Sequence, residues 1–122
     1  MSPTELKRAA TRVLDSLPAE FRRHLHNVVV VVEKRPKRGQ LKAMGLDPRD
    51  DVLYGLYEGT PLSERSALDP PLLPDKITIF AEPLLRDFPD PTELRKQIRL
   101  TVLHEIAHYF GIDEEEIEKL GY

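Results

Sequence analysis

The chain has no cysteine. That absence excludes a disulfide framework, thiolate metal sites and a cysteine nucleophile, and any bound metal must then rely on imidazole and carboxylate. Neither sign of charge dominates: 18 Lys and Arg face 21 Asp and Glu, a net charge of −3, so no basic field points to nucleic acid. No apolar run approaches the roughly 18 residues that cross a bilayer, and no apolar segment follows the charged start as in a signal peptide. A cytoplasmic protein with no membrane-spanning part is the expectation. At 122 residues the chain has room for one hydrophobic core, hence a single domain over 1–122.

What is present is concentrated near the C-terminus, in His104-Glu105-Ile106-Ala107-His108. Two histidines at i and i+4, with a glutamate after the first, form the H-E-x-x-H pattern of a zinc-dependent hydrolase. On a helix those imidazoles lie about 40° apart and can reach one metal ion. Glu105 is rotated off that face and is placed to act on a water activated by the metal. Gln97 and Thr101 share the histidine face, whereas Ile98, Val102, Leu103, Ile106, Tyr109 and Phe110 form the opposite, apolar stripe. The histidines are therefore expected to line a cleft.

Zinc in a hydrolytic site takes three protein ligands, so a third is needed. Gly111, just past the helix end, lets the chain reverse and bring Asp113 or Glu114 back toward the pair. Asp113 begins a D-x-x-E capping pattern with Glu116, which commits its carboxylate to backbone N–H groups. Glu114 is the freer candidate, and Asp113 stays open as the alternative.

The remaining pattern reads as α+β: N-terminal helices, a small twisted sheet of about three strands, the motif helix and a short C-terminal helix. Residues 2–15 form a helix started by Ser2-Pro3-Thr4-Glu5, and Pro18 restarts a short one. His24 and His26 at its end read as complements of the helix dipole, not as ligands. The valine run at 28–32 predicts a central strand, 52–57 a second strand interrupted by Gly55, and 76–81 a half-buried strand at a sheet edge, open to pairing with a peptide. Lys34, Arg35, Lys37 and Arg38 around Pro36 read as a solvated loop in preference to a phosphate contact, since no aromatic residue is interleaved. Residues 40–51 and 82–88 read as connecting structure with single helical turns. The proline-containing stretch 59–75 reads equally as a lid or as a crossover.

The segment from His104 to Glu114 resembles the extended H-E-x-x-H-x-x-G-x-x-(H/D) motif of metzincin-type metallopeptidases. The chain as a whole resembles the small bacterial minimal zincins, through that motif, Tyr57-Glu58-Gly59-Thr60-Pro61-Leu62 and the strand before the motif helix. The resemblance implies a zinc-dependent peptidase with one Zn²⁺ per chain, His104, His108 and Glu114 as ligands, Glu105 as general base, and a peptide or protein substrate. The sequence departs from the larger enzymes in its carboxylate third ligand. Its methionines, Met1 and Met44, also lie upstream of the motif, so no methionine turn is expected beneath the metal. A metal-binding or partner-binding module with little catalysis is the second expectation.

Overall fold

The computed structural model describes residues 1–25, 27–59 and 75–122. His26 and the lid-or-crossover stretch at 60–74 lie outside the described residues. The elements are α1 (Pro3–Asp15), α2 (Ala19–Arg22), β1 (Val28–Glu33), α3 (Arg38–Ala43), β2 (Gly55–Glu58), β3 (Asp75–Phe80), α4 (Ala81–Asp87), α5 (Pro91–Tyr109) and α6 (Glu114–Lys119). Helices around a three-stranded mixed sheet make the class α+β, as the pattern predicts. The two segments read as single turns are fuller helices, α3 and α4.

Local chemistry explains the helix starts. Glu5 N–H donates to Ser2 Oγ at 3.2 Å, and Ser2 N–H returns a bond to Glu5 Oε1 at 3.3 Å. These bonds satisfy donors that a first helical turn leaves open. At the start of α5, Glu93 N–H donates to Asp90 Oδ2 at 2.9 Å. Leu6, Ala10 and Val13 form the buried face of α1, and Leu94, Ile98 and Val102 that of the first half of α5. The two helices pack on each other and against the sheet, where Val30, Ile77 and Ile79 join the same core.

The sheet order, β1-β3-β2, corrects the predicted strand positions. β3 is central, parallel to β1 with Val30 opposite Ile77, and antiparallel to β2 with Gly55 opposite Ile79. The predicted edge is thus the middle strand. Ile77, Thr78, Ile79 and Phe80 are all fully buried, so Thr78, which made the strand look half-polar, sits inside. The valine run, expected at the centre, is an edge: Val29 is 41% exposed, and only Val30 is buried. Its composition reflects the fit of β-branched side chains to a pleated strand, not burial on two faces.

Gly55 opens β2 instead of interrupting it. A Cβ at this position would lie 2.5 Å from Thr101 Cγ2 and 3.6 Å from Glu105 Cγ. The missing side chain is what lets α5 approach the strand at the level of the H-E-x-x-H motif. No helix among the described residues is long and apolar enough to cross a membrane.

A candidate metal centre on the longest helix

The histidines sit in the last turns of α5, half-buried, with side chains 24% and 27% exposed for His104 and His108. The opposite side of the helix is buried through Val102, Leu103, Ile106 and Tyr109. This is the division expected from the wheel, except that Phe110 is half-exposed and Glu105 and Ala107 are buried too. The imidazole rings stand edge to face, with centroids 5.0 Å apart. Burial pushes the His108 pKa down, which favours the neutral imidazole that a metal requires.

The chain reverses directly after α5. Gly111 is left-handed, with φ 81°. Its N–H donates to His108 O at 2.9 Å, and Ile112 N–H donates to Ala107 O at 3.0 Å. This paired closure uses the orphan carbonyls of the helix end and suits glycine, which has no Cβ to clash. Asp113 then caps α6, with Oδ1 accepting from Glu116 N–H at 2.9 Å. Glu114, at the first position of α6, returns over the pair. Its Oε1 lies 3.0 Å from His104 Nε2 and its Oε2 lies 2.9 Å from His108 Nε2.

Glu105 occupies the other side. It is 5% exposed and accepts a hydrogen bond at 3.0 Å from the backbone N–H of Tyr57 in β2. Burial is the main influence on its carboxyl and raises the pKa from 4.5 to about 7, against the lowering influence of His104 and the Tyr57 N–H. Phe80 N–H bonds to Tyr54 O, so the inward-facing backbone groups of β2 belong to residues 54, 56 and 58. Those of Gly55 and Tyr57 face outward, and Glu105 already holds one of them.

His104, Glu105 and His108 form a group that can hold a metal ion, with one donor atom from each lying within 4.8 Å of the others. Glu114 adds a fourth donor in contact with both imidazoles. Two carboxylates therefore compete for the third position. Glu114 has both oxygens on the imidazole nitrogens, while Glu105 is committed on one side to β2. The set contains only nitrogen and oxygen donors, a chemistry that suits zinc.

Outside this group, His24 packs edge-on to Phe110 at 6.3 Å, and its carbonyl accepts from Tyr109 O–H at 2.5 Å. Arg35 pairs with Glu82 at 3.3 Å, while Lys37 N–H donates to Gln40 Oε1 at the start of α3. The histidines open onto a cleft of about 600 Å³, which Gln97 and Thr101 also line. Sequence reasoning missed two parts of it. One is the bond from β2 to Glu105, for which Gly55 was the available signal. The other is the wall contributed by Met44, Leu46, Val52 and Leu53, residues that read only as loop and strand.

A helix that carries two imidazoles one turn apart, faced by a carboxylate from the returning chain, presents a His/Glu group that can hold a metal ion. The sequence profile of the zincin-like metallopeptidase family matches residues 25–122, and the chain belongs to that family. No curated protein matches it.

Proposed function

We propose that the chain is a zinc-dependent peptide hydrolase in which His104, His108 and Glu114 hold the metal and Glu105 is the general base. The observation that carries this reading is the Glu114 carboxylate bridging both Nε2 atoms. Three donors already converge there, and the carboxylate's contact with two imidazoles supplies the negative charge a divalent cation calls for. Bound zinc would polarise the scissile carbonyl and lower the pKa of a water in the cleft to about 7.

The chain's own residues supply the rest. Glu105 takes a proton from the attacking water as its oxygen bonds to the carbonyl carbon. When the C–N bond breaks, Glu105 returns that proton to the leaving amine. The Tyr57 N–H orients the carboxylate for this exchange. A peptide would lie along the outward groups of β2, the edge nearest the imidazoles, in place of the β3 edge expected from the sequence.

A second reading, a metal-binding module without turnover, rests on one contact. The bond from Tyr57 N–H takes Glu105 Oε1 and lowers the basicity of the carboxylate that has to accept the proton. Metal analysis with digestion of a mixed peptide library separates the two. Hydrolysis requires one Zn²⁺ per chain in the unmutated protein, loss of metal and cleavage in His104→Ala, and loss of cleavage alone in Glu105→Gln. One Zn²⁺ with no cleavage in a folded sample selects the module.

A further inference from the structure

Six large apolar side chains are exposed among the described residues, and three of them, Met44, Val52 and Tyr122, line one cleft, that of His104, His108 and Glu114. Leu46, Leu53 and Leu100 complete the same wall. Single exposed apolar residues are ordinary on a protein surface, but their collection in one concave place marks a binding surface. Among the described residues, no lysine, arginine or aspartate lines the cleft, and its only acidic side chains are those of Glu105 and Glu114. An acidic ligand side chain would find no lysine or arginine to pair with there among the described residues.

The wall is held in place by its own backbone. α3 ends at left-handed Gly45, φ 73°, with Gly45 N–H on Lys42 O at 3.0 Å and Leu46 N–H on Leu41 O at 2.9 Å. That closure sets where Met44 and Leu46 leave the helix. Asp47 and Asp51 then clasp each other's backbone. Asp47 N–H donates to Asp51 Oδ2 at 2.6 Å, Asp51 N–H to Asp47 O at 2.9 Å, and Arg49 N–H to Asp47 Oδ1 at 2.8 Å. The side chains of Asp47 and Asp51 are thus turned to the backbone of this segment, and Val52 and Leu53 are left to the cleft. Beyond them Tyr54 O–H donates to Asp87 Oδ2 at 2.7 Å. A wall fixed at both ends loses little freedom when it binds.

We propose that this wall receives a large apolar side chain, of the size of leucine or phenylalanine, from a peptide whose backbone crosses the imidazole pair. The inference rests on the peptide reading of the site and names the substrate class within it. Burying such a side chain strengthens binding about 10- to 100-fold over a small polar one.

The test uses the full chain with Glu105→Gln, to prevent turnover, and labelled methyl groups. It is titrated with two capped pentapeptides that differ only at the central residue, leucine or serine. The leucine peptide is expected to shift the methyl signals of Val52, Leu53 and Leu100 and to bind about tenfold tighter or better. Adding Met44→Ser and Val52→Ser, both at exposed positions that leave the core intact, removes that advantage. Equal or absent binding of the two peptides, or shifts confined to methyls such as Val29 far from the cleft, overturns the proposal. Library digestion by the unmutated chain separates it from the hydrolase reading. Products with no enrichment of apolar residues overturn the wall and leave the hydrolase standing. Apolar-selective binding without cleavage supports the wall and removes the hydrolase.

Discussion

Helices α1 and α5 begin with the same four residues, Pro-Thr-Glu-Leu, at positions 3–6 and 91–94, behind Ser2 and Asp90. They pack side by side, and through their first turns they do the same work: a capped start and a leucine in the core. They then diverge. α1 runs to Asp15 with a narrow buried face of Leu6, Ala10 and Val13. α5 continues to Tyr109, and its second half buries a carboxylate, Glu105, among Leu103, Ile106 and Ala107. A helix meant only to hold a fold has no reason to bury an acid beside two imidazoles. The comparison locates the functional burden of the chain in the part of α5 that α1 does not match.

The largest expected effect breaks the two helices apart by function. Glu105→Gln is predicted to lower peptide hydrolysis by about 10²–10⁴-fold while zinc content stays at one per chain, which steady-state assays and metal analysis read directly. The same variant reports on stability. The folded metal-free protein holds the Glu105 pKa at about 7, above the 4.5 of an ordinary glutamate. Folding therefore favours the protonated form, and this group's contribution to stability falls as pH rises from about 4.5 to about 7. Denaturant unfolding of the metal-free proteins should show Glu105→Gln gaining on the parent across that window. A constant difference from pH 4.5 to 8 would contradict the burial argument.

In α1 the reverse holds. Leu6→Ala is expected to reduce stability by about 2–5 kcal/mol, because Leu6 is fully buried. Zinc stoichiometry of the folded fraction should not change, and a loss of metal from folded protein would mean that α1 shapes the site. Gly111→Ala comes next, at about 1–2 kcal/mol for a left-handed residue given a Cβ. It should also weaken zinc binding, since the turn at Gly111 delivers Glu114. The smallest effects belong to the shared starts. Ser2→Ala and Asp90→Ala should each remove about 1 kcal/mol, read by thermal unfolding, and neither should alter metal content.

The parts of this structure legible in the sequence are those set by local chemistry. The two proline starts, the Gly111 reversal, the Asp113 cap and the facing of His104 and His108 all follow from residues a few positions apart. Strand order was not legible in that way. The strand at 76–81 looked half-buried because alternation cannot tell a buried hydroxyl, such as that of Thr78, from an exposed one, and the valine run looked central because five β-branched residues conceal which face is covered. The bond from Tyr57 to Glu105 joins residues 48 positions apart. Only Gly55, a glycine within a strand, hinted that another element comes close. The apolar wall was hidden for a similar reason. Met44, Leu46, Val52 and Leu53 follow no helical or strand period, and only the Gly45 closure and the Asp47–Asp51 clasp turn them toward one cleft.

The central claim is that the histidine pair and Glu114 bind the metal while Glu105 stays free to handle protons. Anomalous diffraction from zinc-soaked crystals tests it most directly. The account predicts one peak, within about 2.2 Å of His104 Nε2, His108 Nε2 and a Glu114 oxygen, with Glu105 outside bonding distance. A peak bonded to Glu105 in place of Glu114, or no zinc at the pair, would contradict it.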